Sequence, residues 1–267
     1  MRSDTEDTGL VQAQQLGKNQ GGYCGETIAI EAVLDECLQA ARNFHWEHER
    51  LPVAPNLALH AFRRPHRNPR KRVYLSTGIH GDEPAGPLAA RQLLRENLWP
   101  DELALWLCPC LNPTGFELNR RETAKGVDLN RQYHAPEAGE TRAHVAWLKQ
   151  QPAFDVAICL HEDWEAHGFY LYELNLGNRP SHAEAMIATV AKVCPIDRSE
   201  IIEGRPASAG IIRPSADPLT RPQWPEAFYL IQHHTRHSYT LEAPSDFPLP
   251  TRVAALVAAV RTVLENL

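Results

Sequence analysis

The stretch that most constrains the fold is residues 73–96, where a short apolar run leads through a turn into a helical pattern. Residues 73–77 are apolar or β-branched and are bounded by Gly78, which predicts a buried strand. Pro84 suits the first turn of a helix, and residues 85–96 carry apolar side chains at helical spacing. The chain therefore contains a strand–turn–helix unit, the building block of α/β proteins.

The same alternation continues along the chain and predicts a single-domain three-layer α/β/α fold with a mixed, largely parallel sheet. Apolar periodicity predicts strands over residues 57–62, 72–77, 103–108, 154–160, 169–174, 228–232 and 237–241. It predicts helices over residues 27–41, 85–96, 137–150, 181–193 and 251–267. The basic run 63–71 is interpreted as a solvated hairpin loop, and residues 204–225 as a long irregular loop.

Composition and charge narrow the class of protein. Residues 1–22 are polar and end in two glycines, so we expect a flexible N-terminal arm, no signal peptide, and a folded domain over residues 23–267. A net charge of −6 argues against nonspecific binding to nucleic acid or anionic membranes, and no segment is apolar enough to span a bilayer. Six scattered cysteines without a Cys-x-x-Cys pair favour free core thiols and a cytoplasmic protein over a zinc ribbon.

The turn between the predicted strand and helix carries His80 and Glu83, three residues apart. An imidazole and a carboxylate at this spacing can bind one metal ion while a coordination position stays open. Alone the pair is a weak indication, since a surface His and a Glu stabilised by the helix dipole give the same pattern. Further polar residues lie at predicted strand ends or just beyond them, where active sites of α/β sheets gather. They are Arg120 and Arg121, the segment 126–131 (GVDLNR), His161, and Glu242.

In this order and local context, these segments resemble the zinc metallocarboxypeptidases of the carboxypeptidase A type. The relatives include compact bacterial carboxypeptidases, murein-peptide amidases and, more distantly, succinylglutamate desuccinylases and aspartoacylases. The resemblance covers about residues 70–265 and implies that His80, Glu83 and His161 bind one Zn²⁺ per chain. It also implies that Asp128 accepts the other ring N–H of His80, although an Asp that caps a turn would fit the same position.

The resemblance further implies roles for four residues around the bond that is cleaved. Glu242 corresponds to the general base that takes a proton from zinc-activated water. Arg121 is expected to stabilise the oxyanion, with Arg120 as the alternative. Asn130 and Arg131 are expected to bind a free substrate carboxylate, because guanidinium offers a planar fork that matches this anion.

Other residues depart from the family pattern, or the sequence leaves their roles undecided. The mobile tyrosine that binds substrate in these enzymes has two candidates, Tyr239 and Tyr229. His161 is followed by Glu162 and Asp163, which could orient a site residue, contact a cationic substrate group or, with His167, hold a second metal. We interpret three neighbouring histidines as surface or rim residues, namely His233, His234 and His237. Substrate side-chain preference stays open between acidic substrates (Arg205, Arg213, Arg221) and basic ones (Glu162, Asp163, Glu226).

The expected function is a zinc-dependent metallocarboxypeptidase that hydrolyses the amide bond next to a free C-terminal carboxylate of a peptide. The alternatives are an N-acyl amino acid deacylase or a murein-peptide amidase with the same machinery, and a non-enzymatic, zinc-stabilised binding module. The expected partner is a small peptide or N-acyl amino acid with a free carboxylate.

Overall fold

An eight-stranded mixed sheet forms the centre of the computed structural model, which describes residues 13–214 and 222–267. The strands are β1 (Glu47–Ala54), β2 (Leu57–Arg64), β3 (Lys71–Thr77), β4 (Leu103–Cys108), β5 (Val156–Asp163), β6 (Tyr170–Asn175), β7 (Ile201–Ile202), β8 (Arg205–Pro206), β9 (Ile211–Ile212) and β10 (His237–Pro244). The helices are α1 (Ile30–Asn43), α2 (Ala85–Glu96), α3 (Pro113–Glu117), α4 (Gly139–Leu148), α5 (Ala183–Val190), α6 (Glu226–His233) and α7 (Leu249–Glu265), with a 3₁₀ turn at Leu129–Arg131.

The strand order is β1-β2-β4-β3-β5-β10-β6-β9, and β7 and β8 form a separate hairpin. Strands β4, β3, β5 and β10 run parallel to one another and form the middle of the sheet. Antiparallel pairings add β2 and β1 on one side and β6 on the other, and β9 pairs in parallel with β6. The predicted three-layer α/β/α fold with a mixed sheet is confirmed.

Helices cover both faces of the sheet because its central strands are apolar on both sides. Helices α1, α2, α5 and α7 pack on one face around residues such as Leu75, Ile158 and Leu241. Helices α4 and α6 pack on the other face with residues such as Tyr74 and Cys159. All six cysteines are free thiols and five are buried, in keeping with the predicted core thiols. Among residues 13–214 and 222–267, no helix has the length and apolarity to cross a membrane.

The interpretation of residues 63–71 as a hairpin loop is wrong. Strand β4 lies between β2 and β3, so the two strands that flank this basic run do not pair with each other. The hairpin partner of β2 is β1, which the sequence pattern did not reveal. Strand β1 is exposed along most of its length because it forms the edge of the sheet, and it therefore lacks the apolar residues of a core strand.

The prediction of a strand over residues 228–232 is also wrong, since these residues belong to helix α6. A short apolar run fits either element, and here the residues bury one helical face against the sheet. The surface interpretation of the nearby histidines holds only for His233. His234 is buried, and His237 is buried with its Nε2 atom 2.9 Å from Glu173 Oε1.

The described part of the predicted N-terminal arm contacts the domain. The backbone N–H groups of Gly17 and Lys18 donate to the carboxylate of Asp246, at 3.0 and 2.8 Å. Directly after the arm, the Tyr23 hydroxyl donates to the backbone oxygen of Asp82. Residues 1–12 of the arm, and residues 215–221 of the predicted long loop with Arg221, lie outside the described residues. The division between an arm over 1–22 and a domain over 23–267 stays a prediction.

Candidate metal centre

The loop between β3 and α2 carries two of the three predicted metal ligands. Gly78 follows β3 directly and has φ +65°, a left-handed conformation that favours glycine. Gly81 packs so closely on the next loop that an added Cβ would lie 2.1 Å from the carbonyl carbon of Gly115. The two glycines thus allow a tight turn that places His80 and Glu83 at the end of the sheet.

The structure brings His80, Glu83 and His161 together in one buried cluster. Their candidate ligand atoms all lie within 4.8 Å of one another. His80 Nδ1 is 2.5 Å from Glu83 Oε1, and His161 Nδ1 is 3.0 Å from Glu83 Oε2. His161 lies near the end of β5, next to β3 in the sheet, so residues far apart in sequence meet at the carboxyl ends of these two parallel strands.

The electrostatics of this cluster fit a cation. Burial alone would raise the pKa of Glu83, but the two imidazoles beside it hold its pKa well below its usual value. The carboxylate is therefore ionised and buried, and two imidazole nitrogens point at it from either side. Two imidazoles and one carboxylate are the ligand set of many catalytic zinc sites. No other such group of His, Cys, Asp or Glu occurs in the described chain.

Asp128 and Arg121 lie beside the cluster. Asp128 Oδ1 is 3.5 Å from His80 Nε2, and its Oδ2 accepts a hydrogen bond from Arg121 Nε at 3.0 Å. Asp128 also accepts the backbone N–H of Asn130, so it caps the 3₁₀ turn as well as facing the histidine. Arg121 Nη1 reaches to 3.4 Å from His80 Nδ1, whereas the Arg120 guanidinium donates to the backbone oxygen of Thr123.

Glu242 lies on β10 in direct register with His161 on β5. Its half-buried side chain forms no hydrogen bond with any described residue. Burial raises the pKa of Glu242 well above its usual value, and the neighbouring carboxylates of Glu83, Glu203 and Asp163 add to this effect. Glu242 is therefore an acid with raised proton affinity beside the ligand cluster.

Asn130 and Arg131 follow Asp128 in the 3₁₀ turn. The side-chain oxygen of Asn130 accepts the backbone N–H of Glu226, the first residue of α6, at 2.8 Å. This bond fixes the amide so that its NH₂ group is left to donate elsewhere. Arg131 is exposed, and its Nη1 donates to the backbone oxygen of Asn130. Burial raises the pKa of Asp128 and His80 lowers it, and the nearby Arg131 guanidinium adds a smaller lowering effect.

The structure contradicts the expectation that Tyr239 binds substrate. Tyr239 and Glu242 are three positions apart on β10, so their side chains point to opposite faces of the sheet. The Tyr239 ring is fully buried under the α5 side, where its hydroxyl lies 3.3 Å from Glu173 Oε1. The other candidate, Tyr229, is buried in α6 against Tyr133. The aromatic residue in register with Glu242 is Tyr170, which sequence reasoning did not single out.

The acidic pair after His161 does not form a second metal site. Glu162 and Asp163 alternate on β5 and so face opposite sides of the sheet. Glu162 accepts hydrogen bonds from Ala85 and Arg252, and Asp163 accepts the hydroxyl of Tyr170. A buried carboxylate on a central strand needs a partner, but the sequence alone does not identify the partner of Glu162.

Comparisons with known proteins give a matching catalytic-domain model and solved structures of the same fold. Residues 69–195 match the model of the succinylglutamate desuccinylase/aspartoacylase catalytic domain. A search of curated proteins gives no match. Solved structures share the fold, among them a provisionally assigned metallopeptidase of Shewanella amazonensis SB2B (TM-score 0.78, 22% identity, covering 90% of this chain and 93% of that one).

Two more distant structures are metallo-carboxypeptidases. The enzyme of Burkholderia cenocepacia has a TM-score of 0.67 and 16% identity, and the match covers 90% of this chain and 69% of that one. The enzyme of Pseudomonas aeruginosa, in complex with (2-guanidinoethylmercapto)succinic acid, has a TM-score of 0.62 and 17% identity, with coverage of 90% and 69%. The domain match and the shared fold confirm the predicted resemblance to the metallocarboxypeptidase-like proteins, which include the succinylglutamate desuccinylases and aspartoacylases.

Proposed function

We propose that the protein is a zinc-dependent metallocarboxypeptidase that hydrolyses the amide bond next to a free C-terminal carboxylate of a small peptide. The observation that carries this proposal is the buried His80–Glu83–His161 cluster with Glu242 beside it in sheet register. The donor atoms suit zinc, which would lower the pKa of water and polarise the scissile carbonyl when bound.

Glu242 is the proposed general base. Its carboxylate lies in sheet register with His161, so it can take a proton from the attacking water and then deliver that proton to the leaving nitrogen. No described cation forms an ion pair with Glu242, so the proton can move on and off without breaking a salt bridge.

Arg121, Asn130 and Arg131 are proposed to bind the substrate. Arg121 lies at the cluster, held by Asp128, where its guanidinium can stabilise negative charge on the carbonyl oxygen. The free NH₂ group of Asn130 and the exposed guanidinium of Arg131 offer donors to a carboxylate. The bound succinic acid derivative in the similarly folded Pseudomonas aeruginosa enzyme supports a substrate that carries a carboxylate.

A second candidate function is hydrolysis of an N-acyl amino acid by the same residues. The match of residues 69–195 to the desuccinylase/aspartoacylase catalytic domain favours this alternative. Both reactions cleave an amide near a carboxylate, so the two candidates differ only in what lies on the acyl side. A murein-peptide amidase remains a third form of the same chemistry.

The first experiment tests the chemistry with Glu242→Gln. A positioned general base typically contributes 10²–10⁴-fold, so we expect kcat to fall by at least about 100-fold. Zinc content should stay equal to that of the wild type, because Glu242 is not a proposed ligand. Chelator should abolish wild-type activity, and added zinc should restore it. Undiminished turnover by the Gln variant would contradict the role of Glu242.

The second experiment separates the substrate classes. The panel contains dipeptides with a free C-terminus, the same dipeptides amidated at the C-terminus, N-succinyl and N-acetyl amino acids, and diaminopimelate-containing peptides. Cleavage of free but not amidated dipeptides supports the carboxypeptidase. Cleavage confined to N-acyl amino acids would replace it with the deacylase, and cleavage confined to the diaminopimelate peptides with the amidase.

A further inference from the structure

Glu162 is a buried carboxylate that the proposed chemistry does not use. It follows His161 on β5, but its side chain points to the opposite face, toward α2 and α7. Its side chain is 0% exposed. One oxygen accepts the backbone N–H of Ala85 at 2.5 Å, and the other accepts the Arg252 guanidinium and lies 3.4 Å from Ser245 Oγ.

The bond from Ala85 joins the two chain segments that carry ligands. Ala85 is the first residue of α2 and lies two residues after Glu83, while Glu162 is bonded directly to His161 in sequence. A carboxylate at a helix N-terminus satisfies an otherwise unpaired N–H and interacts favourably with the helix dipole. The side chain of the N-cap residue Pro84 accepts no hydrogen bond from these N–H groups. Glu162 therefore links the start of α2 directly to β5.

Arg252 holds the Glu162 carboxylate in place. It lies in the first turn of α7 with a fully buried side chain. Its Nη1 donates to Glu162, its Nη2 donates to Glu26, and its Nε donates to the backbone oxygen of Phe247 at 2.9 Å. A buried ion pair is often no more stabilising than apolar residues of similar volume. The value of this pair therefore lies in the geometry that it imposes.

We infer that Glu162, oriented by Arg252, is a positioning residue that sets the separation of Glu83 and His161 for metal binding. This inference rests on the metal site of the proposed function. Residues that orient metal ligands typically change metal affinity 10–100-fold when they are replaced. The same range is expected here, because loss of the bond lets the start of α2 shift against the end of β5.

The test measures the zinc dissociation constant by competition with a chromophoric chelator. The double variant Glu162→Leu/Arg252→Met removes the acceptor of the Ala85 N–H without leaving a buried unpaired charge, since Glu26 keeps Lys18 at 3.3 Å. We expect zinc to bind at least 10-fold more weakly. In Glu162→Gln the side-chain oxygen can still accept the Ala85 N–H, so its affinity should stay within about 3-fold of wild type.

Glu173→Gln is the matched control. Glu173 is equally buried on the same face of the sheet, paired with His237 and Arg213, but lies away from the cluster. Its replacement should lower the thermal midpoint and leave zinc affinity unchanged. A double variant within 3-fold of wild type, or a control that weakens binding as much, would overturn the inference. Failure of the wild type to bind zinc would instead overturn the metal site, and this inference with it.

Discussion

Glu226 makes the stability of the fold depend on pH. Its side chain is buried between the sheet and α6, where it accepts hydrogen bonds from the hydroxyls of Tyr74 at 2.8 Å and Ser76 at 2.9 Å. No cation pairs with it among the described residues. Burial raises the pKa of Glu226 from 4.5 to about 7, even though the two hydroxyls oppose this shift. The folded protein therefore holds a proton that the unfolded chain releases between these pH values.

The sign and size of the effect follow from linkage. Because the folded state binds more protons than the unfolded state in this window, stability falls as pH rises from about 4.5 to about 7. A shift of this size corresponds to about 3 kcal/mol. Neighbouring groups do not titrate in the window. Burial lowers the pKa of His144 to about 3 and raises those of Tyr74, Cys108 and Cys159 well above their usual values.

The assay is urea unfolding of the metal-free wild type and of Glu226→Gln at pH 5 and pH 8. Glutamine keeps the size and polarity of the protonated acid but does not ionise. We expect the variant to gain about 2–3 kcal/mol relative to wild type between the two pH values. Other titrating groups cancel in this difference. A difference between variant and wild type that is the same at both pH values would refute the reasoning.

Two further substitutions test the site. Gly81→Ala would place a methyl group against the backbone of Gly115, so we expect a loss of roughly 3 kcal/mol or more in urea unfolding and weaker zinc binding; an unchanged midpoint would contradict the close packing. Tyr239→Phe removes the hydroxyl near Glu173 and should cost about 1 kcal/mol of stability while kcat and KM stay unchanged; a raised KM would return Tyr239 to the substrate site.

The elements that bury the most apolar surface could be predicted from the sequence. Helix α2 has the predicted bounds because Pro84 marks its start and Asn97, with φ 49°, ends it in a left-handed conformation. Strand β4 is fully buried and also has the predicted bounds. Strand β1 was missed because an exposed edge strand carries little apolar pattern. Residues 228–232 of helix α6 were predicted as a strand because their apolar run is too short to distinguish helical from strand periodicity.

Part of the candidate site could likewise be predicted from the sequence, and part of it could not. The joint role of His80, Glu83 and His161 was implied by the resemblance to the metallocarboxypeptidases, and the structure brings the three residues together. The sequence itself argues against Tyr239 as a substrate-binding residue. Tyr239 lies three positions before Glu242 on the same strand, so the two side chains point to opposite faces of the sheet. The contacts of Glu162 could not be predicted, because Arg252 lies 90 positions further along the chain and only the packing of α7 brings the two together.

The pairing of Glu242 with His161 has a consequence for how such a protein can diversify. Neighbouring strands lie about 4.8 Å apart wherever main-chain hydrogen bonds join them. The distance between the backbone positions of Glu242 and His161 is therefore set by the sheet itself. Insertions or replacements in the loops at the rim can change the surroundings of these two residues while the spacing of their backbones persists.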